Sequence, residues 1–468
     1  MSDPADLIHI DKGQAARDIH LIDSAHYEDW LASQPERHRA AIEAQGFKAT
    51  AFAHAILPGD TPDSWSVLTC VADTASLSSW CLAKLADILP AGTYRVKDNE
   101  PGPAIFGWIT GQYRFERYKK KKSDKGPRIL LTGQAPLRDR LAAQARGVLL
   151  VRDLVNTPAE DMGPDALEAA AKAIATRHNA TLDVTRGEAL ERGFPMVHAV
   201  GRAAGREHAP RFLELRWGRE DHPRIAIIGK GVTFDSGGLD IKPSSAMRLM
   251  KKDMGGAAHA LALADLVMEG GLPVRLHLLI PVAENAVGAH AFRPGDVLTA
   301  RDGTHVEITN TDAEGRLLLA DALVRAGEEK PELIIDFATL TGAARAALGP
   351  DLPALFVNDD ALAGALTDAG TASDDPLWRL PLWAPYDDMM KSDIADLVNS
   401  AEGGFGGAIT AALFLQRFVP KGVAWAHLDT FAWRPAARPG RPKGGDALGL
   451  RAVEAVLRAR YSGGGTAS

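Results

Sequence analysis

The sequence predicts an α/β protein of two domains. The larger, C-terminal one is built on a mixed, mostly parallel sheet flanked by helices, and a smaller α/β domain precedes it. Three observations predict this. The chain has 468 residues, beyond the roughly 250–300 at which a single core stops growing. Its composition, 46% apolar and 24% charged, can bury large cores. From about residue 165 onward, apolar strand-length runs alternate with helix-period stretches.

Along the first 130 residues, short apolar runs alternate with helical stretches. "WSVLTCVAD" (65–73) reads as a buried strand, and "SLSSWCLAKLADIL" (76–89) as a helix with a serine start. "GQYRFERYKKKKSDKGPR" (111–128) is a polar, basic break. Its Lys119–Lys122 run reads as solvated loop, because basic and aromatic residues do not interleave through the rest of the segment. "APLRDRLAAQARGVLLVRDLVNTPAEDMGPDAL" (135–167) follows as one long helix interrupted at Asn156-Thr157-Pro158, with Leu137, Leu141, Ala145, Val148 and Leu149 as its apolar stripe. The "NTP" and "MGP" turns form a hinge, so the domains are placed at 1–134 and 161–468, joined by the helix and turn of 135–160.

In the second domain "RIAIIGKG" (224–231) is an apolar strand ending in a glycine-flanked lysine, and "GGAAHALALADLVMEGG" (255–271) is a helix closed by glycines. "PVRLHLLIPVAE" (273–284) and "HVEITNT" (305–311) read as strands, and "GRLLLADALVRAGEE" (315–329) as a helix. "ELIIDFATLTGAARAAL" (332–348) is strand, turn and helix, and "GVAWAHLDTF" (422–431) is a late strand. The tail "YSGGGTAS" is expected to be disordered. There is no internal repeat.

The bulk numbers exclude several classes. A net charge of −7 argues against a general nucleic-acid binder. Two cysteines, Cys70 and Cys81, make no disulfide scaffold. The start "MSDPADLIHIDKG" lacks the regions of a secretory signal, and no run of about 18 apolar residues occurs. The expectation is a soluble, cytoplasmic protein without a membrane span.

Three strand ends carry the chemistry. "NTDAEGR" (310–316) sets Asp312, Glu314 and Arg316 at alternate positions, so an extended chain would aim all three one way. "GKGVTFDSGGLDIKP" (229–243) places Lys230, Asp235, Asp240 and Lys242 in a glycine-rich turn, and "LMKKDMGG" (249–256) puts Asp253 at a helix start. In open α/β sheets ligands bind at the carboxyl ends of strands. Asp235, Asp253, Asp312 and Glu314 gathered at one rim would repel one another unless cations neutralise them. Carboxylate oxygens suit Mn²⁺, Mg²⁺ or Zn²⁺, and bridging carboxylates suit a pair of ions. Lys242 and Arg316 are then placed to stabilise developing negative charge. Taken singly, Asp253 reads as a helix N-cap, Lys230 as a salt-bridge or phosphate lysine, and Arg316 as a partner of Glu314. The glycines of 229–238 match no nucleotide-binding pattern. There is no H-E-x-x-H, and His259, His277, His290 and His427 read as packing histidines in apolar surroundings.

Together these segments resemble the leucyl aminopeptidase family, the M17 peptidases. "NTDAEGRL" (310–317) is similar to the family's signature, and "GKGVTFDSGGLDIKPSSAMRLMKKDMGGAA" (229–258) to its other active-site block. "NTPAEDMGP" (156–164), "ENAVGAHAFRPGDVL" (284–298), "ATLTGA" (338–343) and "GGAITAALFL" (406–415) match as well. The likeness is strong over about 150–455 and loose before 130, chiefly through "GQYRF". It implies a metal-dependent aminopeptidase that releases leucine-like and other N-terminal residues from peptides, using a hydroxide bridged by two metals. Lys230 and Asp253 match ligands of the tighter metal site, Asp235 and Glu314 the carboxylates serving both ions, and Asp312 the more exchangeable site. Lys242 matches the lysine that polarises the scissile carbonyl. Arg316 matches the arginine that holds a bicarbonate, the proposed general base. Met250, Thr339 and Gly342 match the border of the first side chain's pocket. Mn²⁺ or Zn²⁺, peptide substrates, a cytoplasmic setting and a homohexamer enclosing the active sites are further implications. Two rivals stand beside this reading. A dinuclear phosphoesterase is one, although such sites recruit histidines and none lies in these motifs. The other is an added DNA-binding role of the kind some bacterial relatives have, for which Lys119–Lys122 would be the patch here.

Overall fold

The structure, a computed structural model, describes residues 3–61, 63–123 and 125–462. Of the expected disordered tail, Tyr461 closes a helix, and residues 463–468 lie outside the described residues. The chain forms two compact units, Met1–Leu149 with Ala436–Lys443, and Leu150–Pro435 with Gly444–Ser468. The division falls inside the helix Ala135–Asn156, and 436–443 groups with the first unit.

The first unit holds strands β1 (Ile8–Ile10), β2 (Arg17–Ile22), β3 (His54–Pro58), β4 (Trp65–Cys70), β5 (Gly92–Val96) and β6 (Arg128–Thr132). They form one sheet in the order β1-β6-β5-β2-β4-β3, parallel except for β3 against β4. The helix expected over 76–89 is shorter, Ala83–Ile88. Its serine-rich start runs instead through bends and turns, in which Ser78 O accepts from Cys81 N and Trp80 O from Ala83 N. Inside a helix serine competes with the backbone for hydrogen bonds, so a stretch holding Ser76, Ser78 and Ser79 favours turns. Lys119 to Lys122 are exposed, as a solvated loop requires.

The second unit holds β7 (Thr181–Arg186), β8 (Arg211–Trp217), β9 (Arg224–Gly229), β10 (Gly231–Asp235), β11 (Arg275–Asn285), β12 (Val297–Thr299), β13 (His305–Glu307), β14 (Leu333–Ala338), β15 (Ala354–Val357), β16 (Trp378–Arg379), β17 (Leu397–Val398) and β18 (Ala424–Asp429). Its main sheet runs β16-β15-β18-β14-β9-β11-β8-β7, with β10 paired to β11. The centre, β18-β14-β9-β11, is parallel, and antiparallel pairs flank it, giving the mixed, mostly parallel sheet expected. β9 and β14 are almost wholly buried because helices cover both faces, which explains their unbroken apolar runs. Helix Gly255–Glu269 is buried from Gly255 to Met268. It approaches the sheet so closely that a Cβ on Gly256 would lie 2.2 Å from the Phe337 carbonyl oxygen. Leu317, Leu319 and Leu323 of helix Gly315–Glu328 join Ile228, Ile334 and Trp425 in the main core.

The strand expected over 305–311 pairs only through Glu307. Beyond it the Asn399 side chain takes over, accepting from Thr309 N at 2.9 Å and Asn310 N at 3.2 Å. Asn399 is positioned by β17, which pairs in parallel with β13. Of the four histidines read as packing residues in apolar surroundings, His259, His277 and His427 are buried, but His277 and His427 meet carboxylates, Glu214 at 3.0 Å and Asp336 at 2.5 Å, and His290 is exposed, in the loop that follows β11.

Candidate metal centre

The carboxyl ends of the central strands form one rim. Lys230 follows β9, Asp235 ends β10, Asn285 ends β11, Thr339 follows β14 and Asp429 ends β18. Asp253 sits in the short helix Met250–Met254, where no side-chain cap is made, so the N-cap reading of Asp253 does not hold. "NTDAEGR" is not extended. Thr311 and Asp312 make a turn, and Glu314 takes helical angles (φ −74, ψ −32) just before helix Gly315–Glu328. A turn rather than strand alternation therefore brings Asp312 and Glu314 together. Arg316 goes its own way, with Nη1 donating to Asn399 O at 2.6 Å.

Each carboxylate has a cation beside it. Lys230 Nζ is 2.6 Å from Asp253 Oδ2 and 2.8 Å from Glu314 Oε1. Lys242 Nζ is 2.8 Å from Asp235 Oδ2 and also contacts Asp312. Oxygens of Asp235, Asp312 and Glu314 lie within 4.8 Å of one another. Even with Lys252 Nζ 3.6 Å from Asp253, three ammoniums do not balance four acids. Burial, with Asp235 nearby, pushes the Glu314 carboxyl up to about 8, even with Lys230 beside it. Burial and Asp235 likewise push Asp312 up to about 6. Burial alone would push Lys230 and Lys242 down, but the surrounding carboxylates outweigh it and hold both ammoniums above their usual range.

The donor set fits divalent cations. Both Glu314 oxygens, Asp253 Oδ2 and Asp312 Oδ1 are buried and accept no well-directed hydrogen bond, the close ammoniums notwithstanding. Unsatisfied buried carboxylate oxygens are costly, and oxygen-rich sets of this kind suit hard or borderline divalent ions. Gly315 lets Lys230 in, because a Cβ there would lie 2.6 Å from Lys230 Cε. Arg316 Nε is buried without a partner, and burial pushes its guanidinium down to about 10.

Sequence reading missed the residues that hold these groups. Asn285 Nδ2 donates to Asp235 Oδ1 at 2.9 Å and to Thr311 O at 3.1 Å. Asp240 Oδ2 accepts from Thr311 N at 2.7 Å, and Thr311 Oγ1 donates to Gly237 O at 2.6 Å, so the two motifs are pinned to each other. Asp429 accepts from Leu340 N, Thr341 N and Thr341 Oγ1, which fixes the loop after β14. Asp240 and Asn285 stood inside quoted motifs and Asp429 inside a strand read from the sequence; Asn399, far off in sequence, gave no signal.

A cavity of about 240 Å³ opens beside the acids and is lined by Met250, Thr339 and Gly342. Thr339 Oγ1 also donates to Asp253 Oδ1 at 2.8 Å, so it orients an acid as well as bordering the cavity. The wall is not uniformly apolar: Lys252, Arg345 and Phe431 line it too.

Comparisons with known proteins agree with this geometry. The model of the cytosol aminopeptidase family catalytic domain matches residues 149–453, and that of the M17 aminopeptidase N-terminal domain matches 18–131. A probable cytosol aminopeptidase of Roseiflexus castenholzii is 42% identical over 394 residues, covering 80% of each chain. The crystal structure of a cytosol aminopeptidase from Coxiella burnetii superposes with a TM-score of 0.92 at 47% identity, covering 97% of this chain and 100% of that one. The bottromycin maturation enzyme BotP in complex with Mn gives 0.85 at 34% identity, covering 95% and 100%. Fold and site therefore define a metal-dependent aminopeptidase, a hydrolase acting on peptides. The chain belongs to the cytosol aminopeptidase family, the M17 peptidases. Neither a phosphoesterase nor a DNA-binding role finds support among these relatives. Among the described residues no helix is long and apolar enough to cross a membrane.

Proposed function

We propose that the chain binds two divalent ions, Mn²⁺ or Zn²⁺, through Lys230, Asp235, Asp253, Asp312 and Glu314, and removes the first residue of peptides bearing a free α-amine. The observation that carries this is the set of buried carboxylate oxygens converging without hydrogen-bond partners. When bound, such ions supply Lewis-acid polarisation of the scissile carbonyl and acidify a water. The five side chains orient the pair, and Lys230 must shed its proton to serve as a ligand. Lys242, held at the mouth of the acid cluster, keeps a proton at Nζ against the oxyanion that develops on the carbonyl. The unpartnered Nε of Arg316 is suited to an anion such as bicarbonate, which would take the proton of the attacking water.

The test is hydrolysis of an amino-acid p-nitroanilide against its N-acetylated twin, after chelation and after adding back Mn²⁺ or Zn²⁺. A free amine nitrogen is a ligand donor and an acetylated one is not. Activity is expected on the free amine only, lost on chelation and restored together with two metal equivalents per chain. Restoration with a single equivalent would sink the dinuclear reading.

We also propose a cytoplasmic homohexamer. The cytosol aminopeptidase names of the relatives support the compartment. Exposed Trp378, Trp383, Tyr386, Ile394 and Phe405, all between 378 and 405, support an apolar contact surface. Light scattering is expected to report six chain masses, and a monomer at micromolar concentration would refute it.

A further inference from the structure

Resting on the aminopeptidase reading, we propose that the pocket for the first side chain is built for an acidic residue, with Lys252 and Arg345 as its specificity determinants. Both cations line the cavity that Met250 borders beside the acid cluster. They bracket one aromatic ring. Lys252 Nζ is 5.5 Å from the Phe431 ring centroid, and Arg345 Cζ is 4.9 Å from it. Lys252 and Arg345 thus stand over the Phe431 ring, so this part of the cavity wall carries two cations.

Lys252 is the more telling of the two. It is 5% exposed, yet among the described residues its Nζ makes no hydrogen bond. Its nearest carboxylate oxygen, Asp253 Oδ1 at 3.6 Å, already accepts from Thr339 Oγ1. A buried ammonium without a hydrogen-bonding partner is costly, and a carboxylate arriving with the substrate would satisfy it. Arg345 is exposed on helix Gly342–Leu348 and makes no ion pair among the described residues, so its guanidinium is available at the mouth. Asp429 is the cavity's other acid outside the ligand set, and three backbone and hydroxyl donors of the loop after β14 occupy it. Charge in the pocket therefore favours aspartate or glutamate over leucine, and disfavours lysine or arginine most.

The experiment compares kcat/KM for aspartyl, glutamyl, leucyl and arginyl p-nitroanilides with the Mn²⁺-loaded enzyme. Anilides lack a C-terminal carboxylate, so any preference belongs to the first side chain. The acidic substrates are expected to exceed leucine by about tenfold or more, the scale of one charge-assisted hydrogen bond. Lys252→Met and Arg345→Gln should each lower the acid-to-leucine ratio by about tenfold, chiefly through KM, and Arg345→Lys should keep it. Arg345 is surface-exposed, so its variants test the idea even if Lys252→Met fails to fold. Leucine cleaved better than the acids, with a ratio unmoved in the Arg345→Gln variant, overturns the pocket assignment and leaves the aminopeptidase reading standing. No cleavage of any free-amine anilide overturns both.

Discussion

A Glu314→Gln variant is expected to fold normally and to lose more than about a hundredfold in kcat. The loss should exceed the 10–100-fold typical of residues that merely support a metal ligand. Glu314 is buried, its two oxygens accept no directed hydrogen bond, and it stands among Asp235, Asp253 and Asp312. The amide keeps the shape and removes one anionic charge, so metal retention measured by atomic absorption should fall with activity. Thermal stability of the metal-free protein should hold near pH 7, because the Glu314 carboxyl, pushed up to about 8, is already largely neutral there and Asp253 still holds the Lys230 ammonium. A metal-free melting temperature that drops by many degrees would make Glu314 a structural residue instead.

The second large effect lies away from the metal centre. Asp321 is fully buried, with Oδ2 accepting from Met196 N at 2.9 Å and Val197 N at 3.3 Å. Its Oδ1 accepts from Arg301 N at 2.9 Å. One carboxylate thus caps helix Pro195–Gly201 and ties down the turn after β12. Asp321→Ala leaves two buried N–H groups and one part-buried one unpaired, at about 1–3 kcal/mol each, so a loss of roughly 3–9 kcal/mol is expected. Calorimetry should show a melting temperature lower by on the order of 10 °C. Asp321→Asn retains one accepting oxygen and should fall between. Burial pushes this carboxyl up to about 7, against the pull of its three N–H partners, so the folded chain binds its proton more tightly than the unfolded one does. Its contribution is therefore most favourable below the unfolded value of about 4 and is lost as pH rises toward 7. The stability of the wild type relative to Asp321→Asn should shrink across that window and then level off. A difference flat from pH 4 to 7 would refute the shift.

The convergence of Asp235, Asp253, Asp312 and Glu314 was legible in sequence because these acids cluster in short motifs directly after strands. The turns that join those strands to the next helix are local, and local spacing survives into the structure. Physics alone reached a carboxylate-rich metal site from Asp235, Asp253, Asp312 and Glu314; the resemblance of the motifs supplied the role of Lys230, which an ammonium's chemistry argues against. The periodicities also carried the parallel centre of the large sheet, since strands buried on both faces read as unbroken apolar runs.

What only the tertiary structure decided is how those motifs are held and what faces them. Extended alternation was the wrong reason for the convergence of Asp312 and Glu314: a turn stabilised by Asn399 and Asp240 does it, and Asn399 comes from some 90 residues away. The serine-led helix start gave way to turns, because side-chain competition for the backbone is settled by packing rather than by periodicity. The pocket shows the same division. Met250, Thr339 and Gly342 were matched to the border of the first side chain's pocket, and folding places Lys252, Arg345 and Phe431 on the same wall from three separate segments. By itself the sequence placed the candidate residues together in short motifs at strand ends, because motif spacing is a local property. Which partners surround them, and hence the charge a substrate meets, follows from long-range packing that no local pattern records.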